Sequence, residues 1–125
     1  MQRILIVDDS STARSLIKKS LGICGLGNVH FEEADNGKHA LEILRSEPVD
    51  LVLTDVNMPT MDGLNLLKRI KSSPKLCDIP VVVITSLKNN TSEQLLISEQ
   101  AVAVLGKPIA IPEMYRLLKE QLHLI

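Results

Sequence analysis

Three carboxylates, a hydroxyl and an amine follow short apolar runs at corresponding places along this chain. Asp8 and Asp9 come after 4-ILIV-7, Asp55 after 51-LVLT-54, Thr85 closes 81-VVVIT-85, and Lys107 lies just beyond 101-AVAVL-105. If the runs are parallel strands of one sheet, these groups share the rim at the strands' carboxyl ends, where open α/β sheets bind ligands. Three carboxylates so placed repel and raise one another's pKa unless a cation intervenes. A hard divalent ion with oxygen ligands meets that need, and Mg²⁺ suits carboxylates, backbone carbonyls and retained waters. Lacking histidine and cysteine ligands, the set is poor for zinc. Such a rim suits Mg²⁺ beside a substrate with charged oxygens. Phosphoryl groups are the natural candidate, because their transfer rests mostly on positioning and charge neutralisation. Lys107 can meet one phosphoryl oxygen and the Thr85 hydroxyl or a neighbouring N–H another, and an aspartate can itself accept the group as an acyl phosphate.

Each residue also has a plain structural reading. Asp9 can cap the following helix, as can Ser10 and Ser11. Asp55 can be a loop residue, Thr85 the β-branched end of a strand, and Lys107 a solvated charge. Only their coincidence on one rim argues for chemistry.

The positioning elements are legible as an alternation. Near-continuous Val/Ile/Leu runs at 4–7, 51–54, 81–85 and 101–105 suit parallel strands covered on both faces, and 29-VHFEEA-34 fits a strand nearer the edge. After Ser10-Ser11, the residues Ala13, Leu16, Ile17 and Leu21 form one helical stripe that Gly22 weakens. Further helices are expected from about Lys38 to Ser46, from Gly63 to before Pro74, from Ser92 to about Gln100, and after Ile111 with Pro112 in the first turn. Lys88-Asn89-Asn90 reads as a flexible solvated loop. Five strands interleaved with five helices indicate a doubly wound α/β domain, read as a single domain over 1–125.

Bulk composition narrows the function. Apolar residues make up 45% and charged residues 23%, with 14 basic against 15 acidic and a formal charge of −1. That balance argues against a direct nucleic-acid binder. Cys24 and Cys77 match no metal spacing and read as reduced thiols of a cytoplasmic protein. His30, His39 and His123 are scattered. No run has the length of a membrane span, so no membrane insertion is expected.

In order, the chain carries the Asp-Asp pair of 4-ILIVDDS-10, Asp55 in 52-VLTDVNMPTMDG-63, Thr85-Ser86 after an apolar strand, and Lys107-Pro108. Together these resemble the receiver domain of two-component response regulators, the single-domain chemotaxis type included, over Arg3 to Leu122. The resemblance implies a five-stranded parallel sheet of flavodoxin-like order 2-1-3-4-5. It implies Asp55 as the phosphoacceptor, charged by a histidine kinase or phosphotransfer domain. Asp9 and Asp55 would hold Mg²⁺ through side chains and Asn57 through its carbonyl, with Asp8 holding it through water or orienting it. Lys107, held over the site by a cis Lys107-Pro108 bond, would pair with the phosphoryl oxygens, and Thr85 would swing in to hydrogen-bond one of them. Output would pass to a downstream protein through the face of helix 4, strand 5 and helix 5. No turnover of an external substrate is expected. Ser11, Arg14 and Ser15 are candidate kinase contacts on the first helix.

Departures from the family pattern lie on the output side. Val104 stands three residues before the lysine where Tyr or Phe is usual, Gln100-Ala101 replaces a Gly-Ala pair, and Ile109 follows Lys-Pro. Leu87, two after Thr85, offers no acid or amide to guide water. A receiver that docks without switching is therefore one alternative. An Mg²⁺-dependent aspartate-nucleophile phosphatase is another, disfavoured because position 57 is Asn rather than a second acid.

Overall fold

The computed structural model describes residues 2–125. Its strands are β1 (Arg3–Val7), β2 (His30–Ala34), β3 (Leu51–Thr54), β4 (Val81–Thr85) and β5 (Ala103–Gly106). They form one parallel sheet in the order β2-β1-β3-β4-β5. The helices are α1 (Ser11–Leu21), α2 (Gly37–Ser46), α3 (Gly63–Ser72), α4 (Asn90–Ser98) and α5 (Ile111–Arg116). This is the expected doubly wound arrangement of five strands and five helices.

Strand alternation divides the core in two. Ile4 and Ile6 of β1, with Leu51, Leu53, Val82 and Ile84, pack against Ile17 and Leu21 of α1 and Met114 of α5. Leu5 and Val7, with Val52, Val81, Val83 and Val104, pack against α2, α3 and Leu96 of α4. Both faces of β1, β3 and β4 are thus buried, which is why those strands lack a polar alternation. A sheet covered on both sides makes a rigid base for whatever leaves its ends.

Four helices begin on a side-chain cap. Ser10 accepts from Ala13 N–H at 3.2 Å, Asn36 from His39 at 2.9 Å, Asp62 from Asn65 at 2.8 Å and Asn89 from Ser92 at 2.9 Å. Each such cap stabilises its helix by about 1 kcal/mol. Asn89 therefore ends the loop that 88–90 was expected to form and starts α4 two residues early. Two other boundaries also move. The chain stays helical past Gly22 in a π-type turn, Gly22–Leu26, and breaks at Gly25, whose φ is 106°. Strand β5 starts later than 101 because Ala101 N–H still closes α4 on Leu96 O at 3.0 Å, after Gln100 turns left-handed with φ 78°. No helix among the described residues is long and apolar enough to cross a membrane.

Candidate functional site

Register brings the acidic residues together. Val7 pairs with Thr54 across β1 and β3, so Asp8 and Asp55 leave the sheet side by side. Asp55 N–H donates to Val7 O at 2.9 Å, and Asp8 N–H donates to Ala34 O at 3.0 Å. On the other side Thr85 pairs with Gly106, and Lys107 N–H donates to Thr85 O at 2.9 Å. The Lys107-Pro108 peptide is cis. Asp8, Asp9 and Asp55 each place a carboxylate oxygen within 4.8 Å of the others. Asp8 is buried, Asp55 intermediate and Asp9 exposed, so the cluster grades from core to solvent.

The two inner carboxylates share one pattern. Asp8 Oδ1 accepts from Ser10 N–H at 2.9 Å and Asp55 Oδ1 from Val56 N–H at 2.8 Å. The ammonium of Lys107 lies 2.8 Å from Asp8 Oδ2 and 3.5 Å from Asp55 Oδ2. Each has one oxygen on the backbone and the other toward a shared cation. Burial works against the Lys107 ammonium, but its hydrogen bond to Asp8 and the charges of Asp55 and Asp8 hold its pKa above the usual lysine value. Burial pushes the Asp55 carboxyl up, outweighing the Val56 N–H and Lys107, and the Asp8 charge adds to the rise.

That rise has a stability consequence. A carboxyl whose pKa is raised by folding adds stability below its unfolded value, and the gain is lost as pH rises through the folded value. At pH 7 without divalent cations, the ionised Asp55 therefore strains the fold. Asp55→Asn should raise the urea midpoint at pH 7 in EDTA, and the advantage should vanish below about pH 3. Matching midpoints for both proteins at pH 7 would contradict this.

The other expected residues lie at the strand end and on the loop around the cluster. The buried Thr85 sits on the same rim, yet its hydroxyl accepts from Leu87 N–H at 3.1 Å. Asn57 is exposed on the loop two residues past Asp55. Arg14 turns inward, donating to Asp8 O at 2.6 Å and Glu33 Oε1 at 2.9 Å. Nothing in the spacing marked that contact, since Glu33 lies on another strand. Gly63 closes the loop behind Asp55 and opens α3. Its N–H donates to Val56 O at 2.8 Å, and it packs directly beneath the Asp55 carbonyl, which also accepts from the Thr54 hydroxyl at 2.9 Å.

Carboxylate oxygens without histidine or cysteine suit a hard divalent cation, so the cluster has the donor set to coordinate one. The model for the response regulator receiver domain matches residues 4–119. The chain belongs to that family. It is a receiver-type phosphoacceptor switch, and its three clustered aspartates agree with a phosphorylation site that uses a divalent metal. Among relatives, it is 41% identical to the chemotaxis protein CheY-3 of Vibrio cholerae over 123 residues, 98% of this chain and 90% of that one. The two-component response regulator ORR5 of Oryza sativa subsp. japonica is 40% identical over 115 residues, 91% of this chain and 84% of that one. Among solved structures, the receiver domain of a signal transduction histidine kinase from Syntrophus aciditrophicus superposes with a TM-score of 0.84 at 31% identity. That match covers 98% of this chain and 91% of that one. Relatives of this kind support a kinase or phosphotransfer partner in general.

Proposed function

We propose that Asp55 accepts a phosphoryl group from the phosphohistidine of a histidine kinase or phosphotransfer domain, with Mg²⁺ as the cation. The carrying observation is the approach of Asp8, Asp9 and Asp55 to within 4.8 Å, with the Lys107 ammonium 3.5 Å from Asp55. Bound Mg²⁺ would supply charge neutralisation for the incoming group. Asp9 and Asp55 would hold it by side chains and Asn57 by its carbonyl, with Asp8 holding it through water or orienting it. The carboxylate oxygen of Asp55 attacks phosphorus, the P–N bond to histidine breaks, and the imidazole leaves with the bonding pair. Lys107 then faces the charge gathered on the phosphoryl oxygens. Thr85 turns its hydroxyl toward the new acceptor. The whole chain acts as one receiver domain in a cytoplasmic setting.

Output passes, in this reading, through α4, β5 and α5. There a cleft of about 440 Å³ is bounded by Lys88, Glu93, Ile97, Val104, Glu113 and Arg116, among others. A second reading has a specific basis. Val104 is 4% exposed and packs in the same core as Leu96 and Ala101, so it has no ring to rotate between surface and interior. Docking without conformational switching follows if that coupling is lost.

Intact mass after incubation with a small acyl-phosphate donor and Mg²⁺ tests both. Wild type should gain one phosphoryl group and Asp55→Ala none. An unmodified wild type would overturn the proposal. Modification that leaves the amide resonances of residues 95–118 in place would favour docking over switching.

A further inference from the structure

We propose that Arg14 is a positioning residue for the carboxylate cluster, acting through the peptide that joins Asp8 to Asp9. The inference rests on the metal-binding reading above. Arg14 Nη1 donates to Asp8 O at 2.6 Å, and that oxygen belongs to the peptide unit linking the two aspartates. Holding this carbonyl restrains ψ of Asp8 and φ of Asp9, the two soft dihedrals flanking the peptide, and so steadies the backbone from which both side chains leave. The plane's other neighbours act elsewhere. Asp8 N–H is held by Ala34 O, and the Asp8 side chain by Ser10 N–H and Lys107.

Arg14 is itself held. Its Nε donates to Glu33 Oε1 at 2.9 Å, and Glu33 Oε2 accepts from Lys18 Nζ at 2.8 Å. Its side chain is only 17% exposed, so the guanidinium spans from α1 to β2 in a fixed pose rather than waving in solvent. Lys18 and Arg14 hold the Glu33 carboxyl below its usual range, against some burial, so the anchor stays ionised. Nε and Nη1 sit at a fixed spacing in one plane, so the guanidinium meets the carboxylate and the carbonyl with two separate nitrogens, which the single nitrogen of a lysine cannot reproduce. The structure thus links β2 to the acidic rim through the Arg14 side chain, which bonds the Asp8 carbonyl and Glu33 rather than the clustered carboxylates.

Mg²⁺ titration of the whole metal-free chain, followed by calorimetry and the amide resonances of Asp8, Asp9 and Ser10, provides the test. Arg14→Ala should weaken Mg²⁺ binding about 10-fold, the lower end of what losing an outer support of a metal ligand costs. Arg14→Lys keeps the charge but not the fork and should show most of the same loss. Glu33→Gln should fall between. Lys18→Ala, which removes only the outer arm of Glu33, should bind as wild type. Should Arg14→Ala destabilise too far to titrate, Arg14→Lys and Glu33→Gln carry the comparison. Wild-type affinity in those variants, with only the urea midpoint lowered, would reduce Arg14 to a packing role and overturn the inference alone. A wild type indifferent to Mg²⁺ would overturn the metal reading first.

Discussion

Gly63→Ala should lose about 3 kcal/mol of stability and blunt the response to Mg²⁺ at the same time. A β-carbon at position 63 would fall on the carbonyl oxygen of Asp55 and come within 2.9 Å of Val56 Cα. Both obstacles are backbone, so no side chain can swing aside to make room. Either α3 retreats, breaking the Gly63 N–H bond to Val56 O, or the end of β3 shifts and takes the Asp55 carboxylate with it. Urea denaturation reads the first cost and Mg²⁺ titration the second. A Gly63→Ala protein with wild-type midpoint and wild-type Mg²⁺ affinity would show that this close approach is not needed.

Lys107→Met should separate two properties that usually travel together. Asp8 is 1% exposed, and its charge is met by the Lys107 ammonium at 2.8 Å. Removing that partner leaves a buried carboxylate uncompensated, at a cost of about 3 kcal/mol in metal-free buffer. Mg²⁺ should recover part of this and should bind more tightly than to wild type, because a competing positive charge has gone. Phosphoryl acceptance should fall about 100-fold nevertheless, the usual penalty for deleting one fixed donor aimed at developing charge. Time-resolved intact mass with a small acyl-phosphate donor measures that rate. An undiminished rate would mean that Lys107 balances the resting carboxylates and does no more.

The residues that define the site were readable because each follows a run with only one sensible fate. A stretch such as 81-VVVIT-85 has no polar face to show to solvent, so it must be a covered strand, and the next polar group must mark its end. Parallel pairing then does the rest, since Val7 opposite Thr54 forces Asp8 beside Asp55. What stayed hidden depends on tertiary proximity with no periodic trace. Arg14 reaches a carbonyl, and any arginine on α1 would look the same in one dimension. Gly63 sits in an Asp-Gly pair that reads equally well as an ordinary helix start, so the near collision beneath Asp55 left no mark. Boundaries moved for local reasons. Gly22 is tolerated within a helical φ of −61°, and the true break falls three residues on at Gly25.

The bond between the Thr85 hydroxyl and Leu87 N–H gives the resting domain a latch. If Thr85 turns toward a phosphorylated Asp55, as the proposed function has it, its oxygen moves away from that N–H. Turning it would unfasten the first residues after β4, where Leu87 already stands 68% exposed. A single neutral hydrogen bond is worth only about 1 kcal/mol in net terms. On the proposed function, such a latch would be firm enough to give the loop a default position and weak enough for one modification to open it and for its loss to let it close again.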